Sequence, residues 1–380
     1  MSKYVYLIVL CTILFIENAA AQQLFKGIVI DVKANEPIPY VNIGIVDRGI
    51  GTVSDEEGQF LLFIDESEIG NNDIIQFSSL GYQTIEMSLS SAQYILNEYS
   101  KIEMRPADII LNEVIVSVKD LVPIADFVGY RNNNENSFGY WKDNDALGGE
   151  LATRIVANKT RRRLKSVEFE VLEIPSDSLL LRVNIYDIKD SQYKPNENMN
   201  TSQKNILHTL KKDELIVKID LDPYDIYVED DFYVSLELVK RFNDQPIGLV
   251  LAASDGQAGS FRRYASQGTW EKISDVNMAF HVESTVLVDQ KKARKLEAKV
   301  EKAQLERKMV SGFAIFGGQM ISGINVFNKR TKETIVTDEN GRYVIHAEKN
   351  DILYFTKTGY KIISFKVGKQ QFTNAIMRLE

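Results

Sequence analysis

Three histidines, one cysteine, 53 acidic side chains and two tryptophans are the groups with which this 380-residue chain could do chemistry or hold a ligand. A catalytic zinc needs imidazoles brought together by local spacing, as in H-E-x-x-H on one helix face. His208, His281 and His346 have no such spacing and no H-x-x-E occurs, so neither a metal site nor any cofactor is expected. They fall in an expected loop, a strand of the middle region and the C-terminal region. There is no G-x-S-x-G elbow and no phosphate-cradling glycine loop. A carboxylate pair for glycoside hydrolysis stays open, because the separation that defines it is spatial and 53 acidic residues offer many pairs. Aromatic rings are the better ligand candidates, since Trp and Tyr faces stack on sugars and anchor protein interfaces. Trp141, Trp270, Tyr264 and Tyr140, with Arg262 and Arg263 as neighbouring donors, are the candidate contacts, against the plainer reading of one core tryptophan per sandwich.

The elements that would position these groups begin after residue 21. Lys3, the apolar run Val5 to Ile16 and Ala19-Ala20-Ala21 read as a secretory signal cleaved before Gln22. Spanning a bilayer takes about 20 apolar residues. Glu17 closes this run too early, and no longer apolar run follows, so no transmembrane helix is expected after cleavage. Cys11 would leave with the signal, removing any disulfide, thiolate metal site or cysteine nucleophile. Ile8-Val9-Leu10 before it do not suit a lipid-modification site, which wants a small residue there. The expected location is the periplasm, the outer membrane or the cell surface. A net charge of −8 with dispersed lysines argues against nucleic acid as a partner, because phosphates need a concentrated basic face. About 359 remaining residues exceed what one hydrophobic core usually spans, so two or three domains are expected.

The chain also repeats itself. Val41-Asn42-Ile43, Val53-Ser54-Asp55-Glu56-Glu57-Gly58-Gln59-Phe60, Asp73-Ile74-Ile75-Gln76-Phe77 and Gly81-Tyr82 recur in order as Ile324-Asn325-Val326, Val336-Thr337-Asp338-Glu339-Asn340-Gly341-Arg342-Tyr343, Asp351-Ile352-Leu353-Tyr354-Phe355 and Gly359-Tyr360. The offset is 283 residues for the first two blocks and 278 for the last two. The repeated block reads as a hairpin: a β-branched strand, an Asp-Glu-x-Gly turn whose glycine takes positive φ, and a strand resuming with an aromatic. Asp55 and Asp338 are expected to accept hydrogen bonds within their own turns. A calcium loop is disfavoured by the missing D-x-D-x-D-G spacing.

Together with Lys26-Gly27-Ile28-Val29-Ile30-Asp31, Glu36-Pro37-Ile38-Pro39-Tyr40 and Gly51-Thr52, the first copy resembles the carboxypeptidase-regulatory-like domain. The resemblance covers roughly residues 24 to 118. It implies a seven-stranded transthyretin-like sandwich of the kind found at the front of Gram-negative envelope proteins, with no peptidase activity. Residues 311 to 379 resemble a divergent second copy, with the G-x-V opening blurred to Gly312-Phe313-Ala314 and the Pro-x-Pro element missing. Leu111-Asn112-Glu113-Val114-Ile115-Val116-Ser117 is similar to the segment that follows this domain in TonB-dependent receptors. The remaining chain is too short for a 22-stranded barrel, so this segment is expected to be the sandwich's last strand.

Between the copies, Ser166 to Leu172, Leu179 to Ile188, Leu215 to Leu221, Phe232 to Val239, Ile247 to Ala252 and Met278 to Val288 are expected strands. Alternation in Leu181-Arg182-Val183-Asn184-Ile185-Tyr186 and Val234-Ser235-Leu236-Glu237-Leu238 places Arg182 and Glu237 on exposed or partner-facing sides. With Gly268-Thr269-Trp270-Glu271-Lys272 and Ala279-Phe280-His281-Val282, this middle resembles a galactose-binding-like jelly roll, a likeness that carries no diagnostic binding residue. Between Lys291 and Lys308 eight Lys or Arg face three Glu, which reads as a solvated helix or as a basic arm for polyanions or phospholipid.

The expected architecture is all-β and multi-domain: a signal peptide over 1–21, a regulatory-like sandwich over 22–118, a linker over 119–137, a jelly-roll-like sandwich over 138–289, a charged helical linker over 290–310 and a smaller second sandwich over 311–380. The expected function is non-enzymatic, a structural or adaptor module of the envelope whose partner is another envelope protein or a glycan. A carbohydrate-binding module is the alternative, and a hydrolase with a carboxylate pair in the middle domain the third. Asp177-Ser178-Leu179 is similar to an O-glycosylation site of some Gram-negative envelopes, with Ser178 as acceptor.

Overall fold

A computed structural model describes residues 22–380 except 66, 68, 71, 109–120, 131–137, 141–145, 158, 175, 189–192, 213, 215, 243–248, 257, 258, 292, 296–308 and 369–371. The expected signal segment, Leu111 to Ser117, Trp141 and most of the stretch expected as a charged helical linker therefore lie outside the described residues. The chain divides into two compact units, one up to Val288 and one from Asp289.

The first unit opens with strands β1 (Gln22–Asp31), β2 (Asn42–Ile45), β3 (Ile50–Val53), β4 (Gln59–Asp65), β5 (Ile74–Ser78), β6 (Ile85–Ser88) and β7 (Lys101–Met104). They form two sheets, β4-β1-β7 and β3-β2-β5-β6, with β7 parallel to β1. Period-two alternation does the sorting: along β4, Phe60, Leu62 and Ile64 face inward and the residues between them face water. Val29, Ile43, Ile45, Ile64, Ile75 and Phe77 meet with no exposed surface between the sheets. One element was not expected, helix α1 (Leu89–Tyr99). Its signals are local: Ser88 accepts from the Ser91 N–H at 3.2 Å, Leu89, Ala92 and Leu96 form a buried i, i+3, i+7 stripe, and Ser100 ends it at φ 54°.

The middle of the chain is a second, larger antiparallel sandwich. Its strands are β8 (Leu121–Gly129), β9 (Phe138–Tyr140), β10 (Glu150–Ile155), β11 (Arg162–Glu173), β12 (Ser178–Tyr186), β13 (Ile206–Lys211), β14 (Ile216–Asp220), β15 (Tyr227–Val228), β16 (Phe232–Arg241), β17 (Val250–Asp255), β18 (Ser260–Arg263), β19 (Glu271–Ile273), β20 (Val276–Met278) and β21 (His281–Asp289). One sheet runs β13-β12-β16-β10-β18-β19; the other follows β20-β17-β11-β21-β8, with β9, β14 and β15 attached. Leu181, Val183, Ile185, Val234, Leu236 and Phe280 are among the residues of the core between them. The stretch 121–129, expected as part of a linker, is instead β8, paired to β21. Pro123 is tolerated there because β8 is an edge strand with no ladder partner on one side.

The second unit has helical residues at 290, 291 and 293–295, then β22 (Met309–Phe316), β23 (Gln319–Met320), β24 (Asn325–Asn328), β25 (Thr334–Val336), β26 (Arg342–His346), β27 (Ile352–Thr356), β28 (Ile363–Lys366) and β29 (Ala375–Ile376). Leaving β23 aside, it reproduces the N-terminal sandwich strand for strand: β26-β22-β29 answers β4-β1-β7, and β25-β24-β27-β28 answers β3-β2-β5-β6. The last strand is again parallel to the first. The repeat extends to single hydrogen bonds. Asp55 Oδ1 accepts from Glu57 N and Gln59 N at 3.0 and 2.7 Å, and Asp338 Oδ1 from Asn340 N and Arg342 N at 3.0 and 2.8 Å. Gly58 and Gly341 take φ of 69° and 71°. Ser54 Oγ accepts from Val41 N and donates to the Ile38 carbonyl; Thr337 Oγ1 does the same with Ile324 N and Ile321 O. Even the blurred Gly312 keeps its task, because it pairs with Tyr343 as Gly27 pairs with Phe60 and leaves room for that ring. Ser54→Ala and Thr337→Val each strand a buried N–H and are expected to cost their own sandwich about 1–3 kcal/mol. Urea denaturation of each variant checks the figure, and a cost below about 0.5 kcal/mol would mean that the bridge is decorative.

Candidate functional site

The middle sandwich carries its most concentrated chemistry on the outer face of the sheet that contains β12, β16, β10 and β18. On each strand alternate residues serve the core, so the residues between them must face the other way. In register across that face stand Arg182, Glu237, Glu150 and Arg263, one from each strand. The alternation correctly put Arg182 and Glu237 off the core face, but neither is exposed: Glu150 and Glu237 are 0% and Arg182 is 5% accessible.

Every residue of this ladder is hydrogen-bonded, while Arg263 Nε stays buried without a partner among the described residues. Arg182 donates from Nε and Nη2 to both oxygens of Glu237, at 2.8 and 2.6 Å. Asn184 Nδ2 also donates to Glu237, at 2.8 Å. Glu150 accepts from Arg263, from Ser235 Oγ and from the Tyr186 hydroxyl. The two carboxylates are neighbours on adjacent strands, and their environments push them apart. Burial, reinforced by the charge on Glu237, raises the Glu150 carboxyl above the usual range, with Arg263 only partly offsetting it. Burial acts on Glu237 as well, but the Arg182 guanidinium and its hydrogen bonds outweigh it and hold this carboxyl low. Burial and the nearby Glu150 charge also raise the Tyr186 hydroxyl well above its ordinary value.

Arg182 has a second set of partners in the N-terminal sandwich. Its Nη1 donates to the Tyr40 carbonyl at 2.8 Å, and its Nη2 to Asn42 Oδ1. Around that link the two sandwiches are tied at several points. Val53 is buried with Leu180 and Val239. Lys240 pairs with Glu56 at 2.7 Å, Asp47 N donates to the Gln267 carbonyl at 3.0 Å, and Gln267 Nε2 donates to Ser78 Oγ at 2.7 Å. The backbone of Ser266 lies on the paired glycines Gly44 and Gly51, where any Cβ would overlap its carbonyl oxygen. The ladder is thus the inner end of a joint, with both carboxylates closed to water and to any substrate.

The aromatic candidates take three different places. Trp270 is half-buried beside the ladder, edge-on to Tyr186 at 6.1 Å with the Arg263 guanidinium 4.9 Å from its ring centroid. Arg262 and Tyr264 lie at the surface, the guanidinium 4.7 Å from the phenol ring and 3.3 Å from Glu271. Trp141 is outside the described residues, and Tyr140 contributes backbone pairing to β17. Ser178 opens β12, half-buried and paired with Lys211. Trp270→Ala is expected to cost about 3 kcal/mol of stability, since it removes the ring between Tyr186 and Arg263; thermal denaturation reads it directly. His208, expected in a loop, sits on β13 against Glu214 at 3.0 Å, while His346 on β26 meets Glu333 at 3.1 Å. Among the described residues no group of three His, Cys, Asp or Glu could hold a metal, and no helix is long and apolar enough to cross a membrane.

What the joint holds on its N-terminal side is decided by the sequence of that sandwich. Residues 25–116 match the family model of the CarboxypepD_reg-like domain. The CarboxypepD_reg-like domain therefore supplies Tyr40, Asn42, Glu56 and the glycine pair at the joint, and its strand order recurs in the second unit. No curated protein sequence matches the chain. Among solved structures, the cysteine protease and lectin-like domains of Cwp84, a surface layer associated protein of Clostridium difficile, align with 40% of this chain at 12% identity and a TM-score of 0.28. The chain spans 37% of that structure's length. BcpA, the major pilin subunit of Bacillus cereus, aligns over 94% of this chain and 98% of its own at 11% identity and a TM-score of 0.15. The T6 backbone pilin of serotype M6 Streptococcus pyogenes aligns over 91% and 80% at 8% identity and 0.14. TM-scores this low assign no shared fold.

Proposed function

We propose that this chain is an exported, non-enzymatic structural or adaptor protein of the cell envelope, which holds another envelope component on the faces and edges of its sandwiches. The observation that carries this reading is the use made of the buried charges. The Glu150–Glu237 pair, placed on adjacent strands with its acidities split, is closed off by two arginines, and one of those arginines reaches into the neighbouring sandwich. A catalyst keeps such a pair open to substrate and water; a connector uses it to fix the relative position of two bodies. Fold alone licenses no reaction, and the likeness of the middle region to galactose-binding-like modules plays no part in the reading.

The test is crosslinking of the mature protein in its native cell followed by mass spectrometry, with proteolysis of whole cells alongside. One recurrent envelope partner is the expected result. Absence of any partner, or glycan hydrolysis that Glu150→Gln abolishes, would overturn the reading.

A further inference from the structure

The two copies of the sandwich differ on the outer face of the sheet that holds their first strand. In the C-terminal copy, Met309, Ser311, Phe313 and Ile315 alternate along β22 with the core residues Val310 and Ala314, so they point out of the sandwich. Register sets His346, Val344 and Arg342 of β26 beside the first three of them and Met320 of β23 beside Ile315. On the other side Phe372 stands beside Ser311 and Ile376 beside Ile315. Met309 is 44%, Met320 55%, Phe372 51% and Ile376 57% exposed, and Phe372 lies edge-on to Phe313 at 5.9 Å. No carboxylate stands among these residues. An apolar patch of this kind in water marks a contact with a protein or a membrane.

The first copy keeps the same face more polar. Its Lys26, Lys101 and Glu103 are answered in the second copy by Ser311, Asn374 and Ile376, so an ion pair closed at 2.6 Å, Lys101 to Glu103, has given way to an amide and an aliphatic chain. The amide is occupied, because Asn374 Oδ1 accepts from Phe313 N at 3.0 Å. Protein partners need about one hydrogen bond per 100–200 Å² of contact, and this face offers few groups to make them; hydrocarbon needs none. Its border is cationic. Arg342 lies at one side and Arg378 two residues past Ile376, and neither makes an ion pair among the described residues. Residues 309–380 hold ten Lys or Arg against six Asp or Glu, and residues 291–308, which lead into β22, hold eight against three. Residues 22–289 hold 26 against 43.

We propose that this outer face of the C-terminal sandwich lies on the surface of a bilayer rich in anionic phospholipid. Met309, Met320, Phe372 and Ile376 enter the boundary between headgroups and acyl chains, and Arg342 and Arg378 meet lipid phosphates. Peripheral proteins hold a bilayer stably through two signals together, inserted apolar groups and a basic patch, and both meet at the start of β22. The proposal goes beyond the adaptor reading and does not depend on it.

The test is flotation of the full mature chain with vesicles made of equal parts phosphatidylethanolamine and phosphatidylglycerol, and with vesicles of phosphatidylcholine alone. Binding to the anionic vesicles is expected, at least about tenfold tighter than to the neutral ones. Ile376→Asp and Met320→Asp should each weaken it at least about tenfold, and Arg342→Glu combined with Arg378→Glu should remove most of the preference for anionic lipid. Leu61→Asp on the first copy should leave it unchanged. Ile376, Met320 and Leu61 are 57%, 55% and 56% exposed, so these variants should fold, and circular dichroism checks that they do. No binding to the anionic vesicles, or binding that both apolar variants leave unchanged, would overturn the proposal. So would a lipid-free dimer that Ile376→Asp dissociates, because the face would then belong to a second copy of the chain.

Discussion

Arg182→Ala is expected to destabilise the first unit by about 3–5 kcal/mol, because it leaves the Glu237 carboxylate buried without its counter-charge. The same substitution removes the donors to Tyr40 O and Asn42 Oδ1, so it also loosens the N-terminal sandwich from the middle one. The two effects can be separated. Replacing both partners, Arg182→Met with Glu237→Leu, removes the stranded charge and fills the space with apolar volume, which is close to neutral for a buried pair. The double variant should therefore recover most of the lost stability of the middle sheet while still lacking the link between sandwiches. Urea denaturation followed by far-ultraviolet circular dichroism and by tryptophan fluorescence should then split the unfolding of the first unit, adding one transition to those of the wild type. No added transition in the double variant would mean that Arg182 serves only its own sheet.

Gly44→Ala should act on the same joint from the other side, at a cost of about 2–3 kcal/mol. Gly44 and Gly51 are paired across β2 and β3, and a Cβ on either would overlap the Ser266 carbonyl, a backbone atom that cannot swing aside. The N-terminal sandwich should keep its own core and lose its seat. Gly49→Ala is the control: Gly49 has φ 67° with nothing within 4 Å of a built Cβ, so it bears only the left-handed backbone cost, about 1 kcal/mol. Trypsin should cut the Gly44 variant faster than the control at sites shielded by the joint, and equal rates would contradict the seating.

The repeat was legible in the sequence because it is written in local chemistry. Asp55 and Asp338 specify their turns through their own carboxylates, Gly58 and Gly341 supply positive φ, and Ser54 and Thr337 sit one residue before the turn in both copies. Strand β8 was missed because Pro123 breaks a pattern only if the strand has neighbours on both sides, and its edge position is set by chain far away. Helix α1 carried a serine cap and an apolar stripe, but its eleven residues are too few to stand without the sandwich they close. The ladder was half legible. Alternation placed Arg182 and Glu237 on one face, yet whether that face meets water depends on Tyr40 and Asn42, some 140 residues earlier. Glu150 and Arg263 join it only through strand order, which no local pattern states.

Native-state hydrogen exchange on the wild-type chain tests most directly whether the first two sandwiches are one body. With the joint as described, amides of β2 and of β12 should open together, with the same free energy and the same denaturant dependence. Opening of β2 at a free energy several kcal/mol below that of β12, with a smaller denaturant slope, would show the N-terminal sandwich moving on its own and would contradict the joint.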